Sequence, residues 1–138
     1  MYAMLCTRPD VCLAISLAGR YESNLGADHW RVVKNILKYL KRTKDMFLVY
    51  GDDKELVVNG YVDASFDTDP DDSKSQTGYV FLLNGEVVNW CSSKQIVMVG
   101  STCEALYIAA SEAANEGVHI RSRCNTVTSQ IFDLECYT

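Results

Sequence analysis

Thr77-Gly-Tyr-Val-Phe-Leu-Leu83, then Asn84-Gly85, then Val87-Val-Asn-Trp-Cys-Ser92 is the stretch that decides the fold. Two runs of apolar and aromatic residues flank an Asn-Gly pair, whose tolerance of positive φ suits the tight turn of a β-hairpin. Upstream, Phe47–Tyr50 and Leu56–Phe66 are rich in valine and aromatics and read as strands, separated by the turn-like Gly51-Asp-Asp-Lys54. Downstream, Gln95–Val99 is a short apolar run. Ser101-Thr-Cys-Glu104 then fits a capping box, and the alanine-rich stretch through Arg121 favours helix.

The first fifty residues have a different period. Thr7-Arg-Pro9-Asp10 reads as a helix start, with a Thr cap, Pro in the first turn and an acid near the positive end of the dipole. That helix is expected to run to about Glu22 and, being apolar almost all round, to be buried on several sides. Asp28 is the expected cap of a second helix from His29 to about Thr43, with Trp30, Val33, Ile36, Leu37 and Leu40 as one apolar stripe. Arg31, Lys34, Lys38, Lys41 and Arg42 fill the rest, either as a solvated face or as a face that contacts phosphates. The order helix, helix, antiparallel strands, helix defines an α+β fold. Gln130–Leu134 is read as a further short strand.

Composition narrows the classes. The 138 residues suffice for a real core, and 48% hydrophobic with 22% charged residues is globular. The longest apolar stretches, Val11–Gly19 and Val80–Leu83, fall short of a membrane span, so no membrane partner is expected. No secretory leader opens the chain, and the expected location is intracellular, cytoplasmic or nuclear. The six cysteines, Cys6, Cys12, Cys91, Cys103, Cys124 and Cys136, form no C-x-x-C pair. With only His29 and His119 to supplement them, they read as free, mostly buried thiols. The net charge of −5 is uneven: eight Lys/Arg against four Asp/Glu in residues 1–50, five against fourteen in residues 51–138.

Asp63 stands out from composition alone. It sits mid-strand in Gly60-Tyr-Val-Asp63-Ala-Ser-Phe66, among apolar neighbours, where carboxylates are uncommon. It is either a solvated edge residue or a metal-binding or catalytic one. Asp67, Asp69, Asp71 and Asp72 begin like a calcium loop, but Pro70 takes the fourth position, Asp72 replaces the turn glycine and Gly78 replaces the bidentate glutamate. A solvated strand connection is expected there instead. Glu104 is explained as the capping-box partner, and Ser101 has no His beside it for hydrolase chemistry.

Several strings together resemble copia-type LTR retrotransposon polyproteins. They are Tyr2-Ala-Met-Leu-Cys-Thr-Arg-Pro-Asp10, His29-Trp-Arg with Ile36-Leu-Lys-Tyr-Leu-Lys41, Lys74-Ser-Gln-Thr-Gly78-Tyr, Trp90-Cys-Ser-Ser-Lys-Gln95 and Tyr107-Ile-Ala-Ala-Ser-Glu-Ala113. The resemblance covers roughly residues 1–121. It implies three parts: a helical connection between reverse transcriptase and ribonuclease H over 1–50, a partial ribonuclease H-like domain over 51–121, and an unrelated tail over 122–138. In that family, Mg²⁺ ions held by about four carboxylates activate water against the RNA strand of an RNA–DNA hybrid, and two cations roughly 4 Å apart need a dense acidic cluster.

Carried over residue by residue, the resemblance leaves that cluster incomplete. Asp63 matches the family's first catalytic, metal-holding Asp. The family's Ser-Thr-Thr-Glu-Ala-Glu-Tyr reads Ser101-Thr-Cys-Glu-Ala-Leu106-Tyr here, which puts Leu106 at the position of the helix ligand. Glu104 lies two residues earlier, about 200° around the helix. Ser122–Thr138 does not resemble the family's later segments, and Asp133 is too close to the helix to match their strand carboxylate. The implied protein is a polyprotein fragment with hybrid-cutting activity lost, no tightly bound Mg²⁺ and weak or no hold on nucleic acid. The alternative is a residual nucleic-acid-binding module acting through helix 29–43. Loss of the later strands would leave Gly60–Phe66 an exposed edge.

Overall fold

A computed structural model describes residues 2–22, 26–51, 57–69, 71–124 and 131–136, with 124 and 131–136 described as backbone. The chain divides into two compact units, Met1–Leu48 and Val49–Thr138. The helices with a mainly antiparallel sheet make the fold α+β.

The first unit contains α1 (Tyr2–Cys6), a 3-10 turn (Pro9–Val11), α2 (Cys12–Gly19) and α3 (Ala27–Arg42). A helical path starts at Pro9 as the sequence suggests, but Thr7 does not cap it. The Thr7 hydroxyl donates back to the Ala3 carbonyl at 3.2 Å. The preceding position is Arg8, at φ −133° and ψ 76°, outside the α region that a following proline disfavours. The path also ends earlier than Glu22. After Gly19 the amides of Arg20, Tyr21 and Glu22 bond three residues back, to Leu17, Ala18 and Gly19, so the chain tightens into turns. Burial on several sides is not found either: Val11 and Cys12 are buried, whereas Leu13 and Leu17 are exposed.

In α3 the cap is Gly26, not Asp28. The Gly26 amide donates to Nδ1 of His29 at 3.0 Å, and that ring stacks on Tyr21 with centroids 4.2 Å apart. Asp28 faces Arg31 instead. His29, Val33, Ile36, Leu40 and Thr43 are the partly buried arc, while Trp30 and Leu37, expected in the same stripe, are 52% and 59% exposed. At 100° per residue both lie on the flank of the packed arc.

The second unit is a four-stranded sheet with one helix across it: β1 (Val57–Ser65), β2 (Gln76–Leu83), β3 (Glu86–Lys94), α4 (Thr102–Cys124) and β4 (Ile131–Cys136). The strand order is β3-β2-β1-β4. The β2–β3 hairpin forms around Asn84 and Gly85, whose φ values of 53° and 88° give the turn its hand. The Asn84 side chain also accepts from the Val57 amide at 2.8 Å, which ties the turn to the start of β1.

Two strand expectations need correction. Phe47–Tyr50 joins no ladder among the described residues: Phe47, Val49 and Tyr50 are exposed, and Tyr50 reaches β3 through its hydroxyl, which donates to the Val87 carbonyl at 3.0 Å. Nor is β1 an edge. Ile131–Cys136, close to the expected Gln130–Leu134, pairs with it in parallel, with Val57 opposite Ile131 and Val62 opposite Cys136. Parallel neighbours need a long crossover, and α4 supplies it.

The core lies between sheet and helix. Val58, Val62 and Phe81 are buried against Ala109 and Ala113. Ala105, Ala109, Ala113 and Gly117 recur every four residues as the buried stripe of α4. Their small side chains let the helix axis approach the sheet closely, so Phe81 fills the space between them. Among the described residues no helix is long and apolar enough to cross a membrane. Among the described residues the thiols are not mostly buried: Cys12 is, Cys91 is intermediate, and Cys6 and Cys103 are exposed.

Candidate functional site

Asp63 lies near the end of β1, opposite Gly78 of β2. The alternation of the strand puts Val58 and Val62 toward α4 and Asp63 on the other face, where it is exposed. Its Oδ1 accepts from the amide of Ala64 at 2.8 Å, a local bond. The pairing register sets Ser65, Gln76, Gly78, Ser92 and Lys94 on the same face. Gln76 and Ser92 bond there through Nε2 and Oγ at 2.8 Å. A Cβ at Gly78 would meet the Asp63 carbonyl oxygen at 3.9 Å, an ordinary van der Waals contact.

Among the described residues no second carboxylate joins it. Leu106 is partly buried in the first turns of α4 and offers no oxygen. Glu104 is engaged in the cap, as the sequence suggests. Its Oε2 accepts from the Gly100 amide at 2.7 Å, while its own amide donates to the Ser101 hydroxyl at 3.2 Å. Asp133 pairs in register with Asn59, four residues before Asp63, which is roughly 13 Å along a strand. Among the described residues no group of three or more His, Cys, Asp or Glu side chains is placed to hold a metal ion. This donor set does not fit a two-Mg²⁺ centre. A groove of about 440 Å³ runs beside the first turns of α4, between Val97–Val99 and Cys103, Tyr107 and Ile108, and Glu104 is its one acidic wall residue.

The aspartate loop is not merely a solvated connection. Asp69 is 2% exposed, and its Oδ2 meets Nζ of Lys94 at 2.7 Å; Asp72 meets the same ammonium at 2.8 Å. A lysine from β3 thus stands where the calcium-like pattern suggested a cation. Lys94 holds the Asp72 carboxyl below its usual range, and Asp69 and then Asp72 push the Lys94 ammonium up. Burial raises the Tyr79 phenol, with Cys91 and Glu116 nearby adding to it.

On α3, Arg31, Lys34, Lys38, Lys41 and Arg42 are all exposed and fall within an arc about 100° wide. Arg31 reaches Asp28 at 3.2 Å, with both side chains in solvent. Trp30 and Leu37 border the arc. The result is a cationic stripe edged by an exposed aromatic ring, on the helix face opposite its packed one.

Three polar centres escape periodicity arguments. Arg8 is nearly buried and grips Asp10 with two bonds, Nε to Oδ1 at 2.9 Å and Nη2 to Oδ2 at 2.7 Å. The Tyr39 hydroxyl donates to the same Asp10 oxygen at 2.7 Å, and the guanidinium lies 5.5 Å from the Tyr39 ring centroid. Arg8 holds the Asp10 carboxyl below its usual range, and Asp10 raises the Tyr39 phenol. Gln95 is buried after β3, and its Nε2 donates to the Ala105 carbonyl at 2.8 Å and to the Thr77 hydroxyl at 3.1 Å. Lys94 is the third. Their signal was present: each sits inside one of the family-like strings, at a polar position that no helical or strand period explains.

These strings, set on this frame, have homologues: the chain is similar to short segments of retrovirus-related Pol polyproteins from transposons. It is 41% identical over 121 residues to the Retrovirus-related Pol polyprotein from transposon TNT 1-94 of Nicotiana tabacum, a match covering 88% of this chain and 9% of that protein. It is 36% identical over 123 residues to Secreted RxLR effector protein 161 of Plasmopara viticola, covering 89% of this chain and 87% of that one. The Retrovirus-related Pol polyprotein from transposon RE2 of Arabidopsis thaliana is 33% identical over 110 residues, 80% of this chain and 8% of its own length. The chain therefore spans less than a tenth of these polyproteins and most of the effector. No family model and no solved structure matches it.

Proposed function

We propose that the second unit is a ribonuclease H-like domain of copia-type retrotransposon origin that has lost metal-dependent cutting of RNA–DNA hybrids, and that the first unit is the connection that precedes it. Three antiparallel strands, a crossover helix and a parallel fourth strand beside β1 support the fold reading. Asp63 on β1 supports the placement of the former site. The observation that carries the loss is Leu106: where the resemblance expects a carboxylate, the helix presents an apolar side chain, and Asp63 alone cannot hold two Mg²⁺ ions, which surrender water reluctantly. Purified protein with labelled hybrid and Mg²⁺ or Mn²⁺ is the direct test. No cutting above buffer is expected, for the parent or for Asp63→Asn. Metal-dependent cutting by the parent that vanishes in Asp63→Asn overturns the reading.

A second reading has its own observation, the uninterrupted cationic stripe of α3 beside exposed Trp30. Ammonium and guanidinium groups in one arc suit a phosphate backbone, and an adjacent indole offers a surface for base stacking. The two readings are compatible, since a domain without catalysis can keep a binding face elsewhere.

A further inference from the structure

We propose that Lys94 is a latch that holds the loop between β1 and β2 closed, and that neutralising this one ammonium opens the loop. The proposal is independent of any enzymatic reading. The loop leaves β1 just after Asp63, on the sheet face that Lys94 shares with it. Asp69 closes the loop on itself: its amide donates to the Lys74 carbonyl at 3.2 Å, its carbonyl accepts from the Ser73 amide at 2.9 Å, and its Oδ1 accepts from the Asp71 amide at 3.0 Å. These three bonds meet at Asp69, which is 2% exposed.

A buried carboxylate is tolerated when a cation meets it, and is driven toward water when that cation is removed. Lys94 meets Asp69 at 2.7 Å and Asp72 at 2.8 Å, from a different strand. Pulling in the other direction, Asp67 and Ser73 sit at φ 49° and 52°, in the left-handed region that non-glycine residues adopt at a cost. The closed loop thus combines a local conformation that favours release with an ionic bond that opposes it. When the ammonium is neutralised, the Asp69 carboxylate loses the cation that meets it and is drawn toward water, and the loop bonds around it loosen. Beside Asp67, Ser75 is fully buried, and its hydroxyl accepts from the Asp67 amide at 3.3 Å.

Amide hydrogen exchange on the full chain tests this, comparing parent, Lys94→Met and Lys94→Arg. In Lys94→Met the amides of Asp69 and Ser73 are expected to exchange at least tenfold faster, with Val62 and Phe81 unchanged. Lys94→Arg, which keeps the charge, is expected to restore slow exchange. Parent-like rates at Asp69 and Ser73 in Lys94→Met overturn the proposal. So does an equal acceleration throughout the sheet, which marks general destabilisation instead of a latch. Should Lys94→Met not fold, Asp72→Asn removes one arm at a partly exposed position; severalfold faster exchange at Ser73 is then expected, and none overturns the proposal.

Discussion

The guanidinium of Arg8 reaches Thr43, thirty-five residues later, at both its carbonyl (3.1 Å) and its hydroxyl (2.6 Å). Thr43 is the C-cap of α3, so a cation lies at the negative end of that helix dipole. Asp10 and Tyr39 complete the arrangement, and it joins the two ends of the first unit.

Truncating Arg8 should therefore loosen α3 from its C-terminal end. Arg8→Met leaves Asp10 without its cation and the Thr43 carbonyl without the Arg8 donor. Tyr39→Phe removes one hydroxyl donor and keeps the ring. Thermal melts followed by circular dichroism are expected to rank Arg8→Met well below Tyr39→Phe, and Tyr39→Phe slightly below the parent. Equal melting of all three would refute this role.

Acid should act on the same cluster. Arg8 lowers the Asp10 carboxyl below its reference value of 3.8, and Lys94 does the same for Asp72. A carboxyl lowered in the fold binds its proton less readily there than in the unfolded chain. Its stabilisation is complete above the unfolded value and disappears as pH falls through the folded one. Stability should be level from pH 7 to about 5 and decline below about 4. Asp10→Asn should be less stable at pH 7 and show a shallower decline, measured by urea unfolding across that range.

Packing of the sheet against α4 gives a sharper number. Phe81→Ala empties a fully buried site and should cost about 3–5 kcal/mol. Ala109→Leu should cost about 1–3 kcal/mol by forcing the helix off the sheet. A change below about 0.5 kcal/mol for either in denaturant unfolding would mean that the helix does not rest on the sheet as described.

If α3 binds nucleic acid, Lys34→Glu or Lys38→Glu should weaken the hold on a labelled duplex. The steepness of its salt dependence should also fall, by about 0.9 for each phosphate the variant leaves unneutralised. Trp30→Ala should weaken binding to single strands with the salt dependence retained. Binding that ignores salt, or no binding even at low salt, removes the second reading.

Local signals were the legible ones. Asn84-Gly85 announces the hairpin because its turn needs nothing beyond its own φ values, and Ser101 with Glu104 announces the start of α4 for a similar reason. Asp63 was placed on its strand by pattern alone. Distant partners were not legible. Phe47–Tyr50 has strand composition but no ladder to join, and Trp30 follows helical spacing yet lies off the packed arc. Asp69 looks solvated until Lys94 arrives from β3, and Arg8 looks like a surface cation until Thr43 closes on it. Periodicity reports which face a residue occupies; it does not report what stands opposite.

Parallel pairing of β4 with β1 also bears on the order of assembly. The β2–β3 hairpin and α4 form from near neighbours, whereas β1 gains its second flank only after the chain has crossed the sheet and returned. Such non-local closure is slow compared with hairpin and helix formation. Until it happens, one side of β1 presents unpaired amides and carbonyls to other copies, so the interval before β4 docks is when this chain is most exposed to aggregation.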